Sequence, residues 1–362
     1  MWDWLRRAFG AEAKRARSEA PPETFRKDPP KLQVIQGGLR ASSVFEQLFE
    51  LQGQLPPERQ ELTPEQQAHE DELVAKVLDH FQKNRPAPSA VPSISLQVLN
   101  LIAEGDHSLA ELSRVVSQDP AYSAALIKVA NSPAYAGAQE IHTLRDVVSR
   151  LGMTEVGRVS GMVAARTLFQ PQVKNEFAAF GNRWNDIFAE SVAAARGAAW
   201  LALRVPRARS DQCYLAGVLH ELGRSVALRS VAALSFTEGC FELEGSEIDR
   251  VVERAHVEIG GEIHADWSLP RFPTLVAMRH HDLRLPTDVD YLDVHVVRLC
   301  SALVQLRRQP WRVDQVRAEV EESCAALKLD AYALRSLDTQ LRQEMEGVLA
   351  SFTQASRRRA GA

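Results

Sequence analysis

Signals that start and end helices recur along most of this chain, and they constrain the fold more than any other feature of the sequence. Residues Ser108–Glu111 and Thr143–Asp146 both have the spacing of a helix-capping box. Asp119–Pro120 places a cap acceptor directly before a proline, which favours the first helical position. Gly152 follows a helical stretch and is typical of a helix end. Because residues 32–36 are the only weak strand candidate, the pattern predicts an all-α fold.

Breaker residues divide the chain into segments. The first 40 residues are rich in arginine and proline, a composition that favours a flexible, polar and basic segment. Thr63–Gln66 predicts a capped helix in the segment that follows, and a proline-rich run at 84–88 ends that segment. The predicted division is a flexible segment 1–40, a helical extension 41–84, a main domain 85–290, C-terminal helices 291–352 that pack on it, and a disordered basic tail 353–362.

Charge and composition exclude several function classes. The 43 Lys and Arg residues are outnumbered by 47 Asp and Glu, giving a net charge of −4, which argues against a nucleic-acid partner held by bulk charge. The sequence has no apolar run long enough to cross a membrane and no secretory signal at its start. Its four cysteines show no CxxC spacing, and it contains no P-loop, GxSxG or GxGxxG motif. These features predict a cytoplasmic protein without nucleotide-loop or serine-hydrolase chemistry.

The first residues include a short amphipathic pattern. Trp2, Leu5 and Phe9 share one helical face, with two arginines beside them. Such a face suits contact with a partner protein or with a membrane surface. The alternative, which we favour, is a short helix that docks on its own domain or a frayed terminus.

Histidines next to carboxylates mark the second half of the chain. His220 precedes Glu221, His256 lies in a helical stretch, and His280 precedes His281. Imidazole and carboxylate groups can together hold divalent metal ions and leave positions open for a phosphate and an attacking hydroxide. The alternative, which we favour, is that buried imidazoles bonded to carboxylates hold helices together without a metal.

Ordered motifs over about residues 85–290 resemble the HDOD domain, a signalling relative of the HD phosphohydrolases. The matching stretches are Val91–Leu99, Asp119–Pro120, Ala130–Ser132, Leu151–Gly152, Ala216–Arg224, His256–Gly260, Trp267–Pro270 and His280–His281. The resemblance implies an all-α domain of two helical lobes, of which the second is built like an HD hydrolase. It also implies a regulatory, usually non-catalytic role in bacterial signalling.

The sequence departs from the metal-binding pattern of HD enzymes at three positions. Glu190 stands where those enzymes have their first histidine, Glu221 replaces the aspartate of the HD pair, and Cys300 replaces a later aspartate. No Gly-Tyr-Pro element follows His280 and His281, so the signature of cyclic-dinucleotide phosphodiesterases is missing. A dinuclear hydrolytic centre is therefore not expected.

The resulting prediction is a non-enzymatic regulator that acts through contacts with another signalling protein. It requires no cofactor, and any divalent metal would be adventitious. The alternative is a metal-dependent phosphohydrolase acting on a nucleotide or cyclic nucleotide, with its chemistry carried by His220, Glu221, His256, His280 and His281.

Overall fold

The computed structural model describes residues 43–57, 62–87, 92–105, 108–131, 135, 141–169, 174–237 and 245–360. Trp2, Leu5 and Phe9 and the strand candidate at 32–36 lie outside these described residues. All the regular structure within the described ranges is helical, and they contain no strand, which confirms the predicted all-α class.

The helices follow one another with short connections. They are α1 (Val44–Gln52), α2 (Pro64–Lys83), α3 (Ser93–Glu104), α4 (Leu109–Val116), α5 (Pro120–Ala130), α6 (Leu144–Phe169), α7 (Lys174–Ala202), α8 (Ser210–Leu219), α9 (Leu222–Thr237), α10 (Gly245–Asp266), α11 (Arg271–Arg279), α12 (Val289–Leu306), a 3₁₀ helix (Pro310–Arg312), α13 (Val313–Leu327) and α14 (Ala331–Ala360).

Capping hydrogen bonds form at the helix starts that the sequence predicted. The Thr63 hydroxyl accepts from the backbone N–H of Gln66 at 3.2 Å, and the Gln66 side chain accepts from Thr63 in return at 2.9 Å. Ser108 forms the same reciprocal box, and the Asp119 carboxylate accepts from the N–H of Tyr122 at 3.1 Å. Gly152 has φ of +74° and interrupts α6, a conformation that a side chain would oppose. Local capping chemistry therefore sets these boundaries.

Two helical lobes share the main domain. In the first lobe, α6 packs on α3 and α5, and its core is formed by apolar side chains such as Val98, Leu99 and Leu126. In the second lobe, α7 packs against α8, and α9 packs against α10. The lobes meet where α6 contacts α8.

The flanking segments pack on the second lobe. Helix α2 lies across α9 and α10 and buries Leu73, Val77 and Phe81 there. Helices α12 and α14 pack on α7, and α1 packs on α13 and α14. Helix α14 continues to Ala360 and so includes residues 353–360 of the predicted C-terminal tail. No helix in the described part of the chain combines the length and the apolar character needed to span a membrane.

Candidate functional site

Five of the predicted site residues converge inside the second lobe. His220 and Glu221 lie between α8 and α9, His256 lies on α10, and His280 and His281 follow α11. The first four of these residues are almost completely buried, whereas the side chain of His281 is 14% exposed. We call these five residues the His–Glu cluster.

A glycine allows this convergence. Gly223, at the start of α9, lies so close to α10 that a Cβ at this position would overlap the backbone carbonyl of His256 and the backbone of Gly260. The absent side chain lets the two helices approach closely, and this approach places Glu221 beside His256. Leu222–Gly223 and Ile259–Gly260 each place a glycine at this contact between α9 and α10.

Three of the histidines have the same tautomer. The Nδ1 atoms of His220 and His280 lie 2.9 and 3.0 Å from the backbone carbonyls of Gly217 and Val276, and Nδ1 of His256 contacts the carbonyl of Glu253. A carbonyl only accepts hydrogen bonds, so each of these Nδ1 atoms carries a proton, and a neutral imidazole in this orientation has its lone pair at Nε2. Metal-binding histidines are held in this way by outer partners.

The lone pairs meet at the Glu221 carboxylate. Nε2 of His256 and Nε2 of His280 are 3.2 Å apart, and they lie 3.7 and 3.9 Å from the two oxygens of Glu221. Burial lowers the pKa of both imidazoles, so both are neutral and their lone pairs face each other. The Oε2 atom of Glu221 is buried and accepts no hydrogen bond from the described residues. Two nitrogen ligands at about 2.0–2.1 Å from one ion would have a similar separation, so this donor set fits a single divalent cation.

His281 differs from the other three histidines. Its Nδ1 lies 2.7 Å from Glu319, and its Nε2 lies 3.2 Å from Glu253, so carboxylates face both nitrogens. Burial and the guanidinium of Arg312, 3.2 Å from Nδ1, lower the pKa of His281, but Glu319 and Glu253 outweigh them and raise it to about 9. His281 is therefore an imidazolium cation, with no lone pair for a metal.

Glu190 lies near the cluster but faces arginines instead. Its carboxylate accepts from Nη1 of Arg224 at 2.8 Å and lies 3.1 Å from Nε of Arg308. Burial raises the pKa of Glu190, and the two arginines oppose that rise. The position that the resemblance assigned to a metal ligand is thus occupied by an ion pair.

Cys300 lies on the other side of α12. Its sulfur is beside Gly197 in an apolar core with Leu341, and burial raises the pKa of the thiol. The next residue, Ser301, faces the cluster instead, with its hydroxyl 2.9 Å from Nε2 of His220 and 3.2 Å from Glu221. One residue along a helix rotates the side chain by about 100°, so an alignment shifted by one position selects the wrong face. Cys300 is therefore excluded from the site, and Ser301 belongs to it.

Sequence reasoning also missed Gln305 and Arg312. Gln305 lies one turn after Ser301 and donates to Glu221. Its i, i+4 spacing from Ser301 on a mostly apolar helix was a usable signal. Arg312 comes from the 3₁₀ helix, far along the chain, and lies 3.0 Å from Glu253 and 3.6 Å from Glu319. Burial alone would raise the pKa of Glu253, but Arg312 holds it well below its usual value.

The buried carboxylates of the site are paired with the protein's own cations. Glu190, Glu221, Glu253 and Glu319 lie beside the buried cations Arg224, Arg312 and protonated His281. Arg308, which is 40% exposed, pairs with both Glu190 and Asp186 at the edge of this network. Such groups are stable in a protein interior only when they are paired.

Comparison with known proteins agrees with this architecture. A solved structure of an HDOD domain protein of unknown function from Geobacter sulfurreducens has a TM-score of 0.55 and 21% identity, covering 77% of this chain and 97% of its own. A proposed signal transduction protein from Marinobacter aquaeolei VT8 has a TM-score of 0.55 and 20% identity, covering 80% and 66%. A proposed metal-dependent phosphohydrolase from Shewanella amazonensis SB2B has a TM-score of 0.51 and 20% identity, covering 76% and 99%. At these identities the likeness establishes the fold alone.

The fold and the site together define an all-α, HD-related protein with histidines and carboxylates in its second lobe. A family model for the HDOD domain matches residues 89–283, and the chain belongs to this family. An uncharacterised protein from Treponema pallidum (strain Nichols) is 23% identical over 228 residues, which are 60% of this chain. The chain spans only 41% of the length of that relative.

Proposed function

We propose that this protein is a non-catalytic regulator in bacterial signal transduction that acts by binding another protein. The observation that carries the proposal is the pairing of the site's buried carboxylates with the protein's own cations. Arg224 and Arg312 neutralise the carboxylates that metal ions would neutralise in a hydrolase. Membership of the HDOD family supports a signalling role.

A dinuclear hydrolytic centre conflicts with this arrangement. Two divalent ions would add four positive charges to a buried network whose carboxylates are already paired with cations. Glu190 is held by arginines and Cys300 faces an apolar core, so neither supplies a ligand. The side chains of His220, Glu221 and His256 are at most 1% exposed, so a phosphate ester has no contact with Glu221 unless the helices separate. The cluster connects helices: His220 at the end of α8 contacts Ser301 of α12. Arg312 of the 3₁₀ helix contacts Glu253 of α10 beside the cluster.

A second candidate function is metal-dependent phosphohydrolysis, favoured by the 3.2 Å approach of the His256 and His280 lone pairs. His256, His280 and Glu221 would hold one divalent cation, which would supply Lewis-acid activation of a phosphate oxygen. The Oε2 atom of Glu221, which accepts no hydrogen bond from the described residues, supports this alternative.

Turnover measurements on a cluster variant separate the two functions. The full chain, purified without chelator, is assayed with the generic substrate bis-p-nitrophenyl phosphate in the presence of Mn²⁺, Mg²⁺, Fe²⁺ or Zn²⁺. The regulatory proposal expects no turnover, and it expects His220→Ala to lower the melting temperature because a buried hydrogen-bonded group is lost. His142→Ala removes an exposed histidine and is the matched control. Turnover in the native chain that His220→Ala abolishes and His142→Ala preserves would establish the hydrolase instead.

A further inference from the structure

An open cavity of about 710 Å³ lies where three segments of the chain meet. Glu70 of α2, Arg250 and Arg254 of α10, and Trp311 and Arg312 of the 3₁₀ helix line it. Helix α2 and the 3₁₀ helix lie outside the family-matched residues 89–283, so the flanking segments build half of its wall. Its volume is in the range of about 300–1,000 Å³ that is typical of pockets for small organic ligands.

One wall of the cavity is cationic. Arg250 and Arg254 lie one turn apart on α10, and both reach Glu70: Arg250 donates to its Oε1, and Nη1 of Arg254 is 3.9 Å from its Oε2. Arg254 also pairs with Asp71, but that carboxylate is 55% exposed, so water and salt weaken the pair. Two guanidinium groups thus share one buried carboxylate. The whole lining holds three arginines against two carboxylates, Glu70 and Asp314, and this positive excess suits phosphate oxygens, which guanidinium groups bind in a fork.

The 3₁₀ helix contributes an aromatic ring to the cavity lining. Arg312 also lines the cavity, but its side chain is fully buried, and its Nη1 pairs with Glu253 at 3.0 Å. Trp311 is half-buried and adds a large aromatic surface, on which planar rings stack.

We propose that this cavity binds a nucleoside monophosphate, with the base on Trp311 and the phosphate between Arg250 and Arg254. The excess of arginines favours an anion, the indole favours a planar ring, and the volume accommodates both in one molecule. This inference goes beyond the proposed regulatory function because it names the class of small molecule that the regulator would sense. Arg312 lines the cavity and contacts Glu253 beside the cluster, so one side chain connects the ligand to the His–Glu cluster.

Isothermal titration calorimetry on the full chain tests the proposal. The probes are AMP and GMP, with adenosine, guanosine and inorganic phosphate as the two halves of the ligand. We expect AMP or GMP to bind at least about tenfold more tightly than its nucleoside or phosphate. We expect Arg254→Gln and Trp311→Leu each to weaken that binding by about tenfold or more. Arg183→Gln is the matched control, because Arg183 forms a comparable exposed pair with Asp249 of α10 outside the cavity lining.

Three outcomes would overturn the proposal. They are no binding of either nucleotide at millimolar concentration, phosphate binding as tightly as the nucleotide, and nucleotide binding that survives both Arg254→Gln and Trp311→Leu. If Trp311→Leu does not fold, Trp311→Phe replaces it, and the measurement is the change in tryptophan fluorescence when the nucleotide is added. We expect this variant to bind the nucleotide but to lose the quenching that the nucleotide causes in the native chain. Quenching of the same size in Trp311→Phe would count against the proposal. The turnover assay of the His–Glu cluster is independent, so failure of either proposal leaves the other intact.

Discussion

The two lobes of the domain are stabilised by different physical means. The first lobe buries apolar side chains such as Leu99 and Leu126 between capped helices. The second lobe has an apolar core as well, but it also buries carboxylates and arginines that neutralise one another around the His–Glu cluster. Hydrophobic burial tolerates modest changes in side-chain shape, whereas a buried ion pair leaves an unpaired charge when one partner is removed. Substitutions in the second lobe should therefore lower the free energy of unfolding more than substitutions of the same size in the first.

The largest effect is expected from Arg312→Met. This substitution keeps much of the side-chain volume but removes the guanidinium that lies 3.0 Å from Glu253 and 3.6 Å from Glu319. Breaking a buried pair in this way costs about 3–5 kcal/mol, so we expect a loss of that size in the free energy of unfolding. Urea denaturation measures it, with exposed Arg335→Met as the control. A loss below about 1 kcal/mol would show that the network contributes little to stability.

The corresponding change in the first lobe is Leu126→Ala. Leu126 is almost completely buried, and removing its branched end leaves a cavity. We expect a loss of about 2–4 kcal/mol in urea denaturation. Because no ionisable group is removed, this loss should be the same at pH 6 and pH 8. A strong pH dependence of the loss would contradict the distinction between the lobes.

We expect His264, in the second lobe, to make the free energy of unfolding depend on pH. Burial lowers its pKa from 6.5 to about 4, with its Nε2 3.2 Å from the carbonyl of Leu219. The pKa of His264 is lower in the folded chain than in the unfolded chain. The contribution of neutral His264 to the free energy of unfolding is therefore fully present above pH 6.5. It falls between pH 6.5 and 4, where the imidazole of the unfolded chain takes up a proton and the folded one does not. The expected contribution is about 2 kcal/mol between pH 7 and pH 5. In urea denaturation, the free energy of unfolding of His264→Asn should therefore change less between pH 7 and pH 5 than that of the native chain. If both change equally, His264 is not the source of this pH dependence.

The smallest effect is expected at the surface. Lys83 pairs with Asp79 one turn earlier on α2, at 2.7 Å, and both side chains are mostly exposed. Such pairs contribute about 0.3–0.5 kcal/mol, so Lys83→Ala should change the free energy of unfolding by no more than this, and less in high salt. A loss above about 1 kcal/mol would mean that an exposed pair matters as much as a buried one.

Local signals in the sequence predicted much of the fold. Thr63, Ser108 and Gly152 mark boundaries through hydrogen bonds and backbone conformations that depend on a few neighbouring residues. The histidines of the site were also predicted, because each lies in a helical pattern beside a recognisable motif. No such signal marks residues 353–360, which lack an apolar face in the sequence and continue α14 in the structure.

The surroundings of the cluster depend on tertiary structure, and sequence reasoning failed there. Whether Cys300 or Ser301 faces His220 is decided by the rotation of α12, which a pairwise alignment does not fix. Arg312 reaches Glu253 across 59 positions of sequence, and no local pattern marks it as a partner. The charge balance that decides the proposed function is visible only after the chain has folded.

The central claim is that the protein's own cations replace a dinuclear metal centre. Its most direct test is electron paramagnetic resonance of the full chain saturated with Mn²⁺ and freed of excess metal, together with the metal content per chain. The account predicts at most one bound Mn²⁺ per chain, with the signal of an isolated ion. Two Mn²⁺ ions per chain with the signal of an exchange-coupled pair would contradict it.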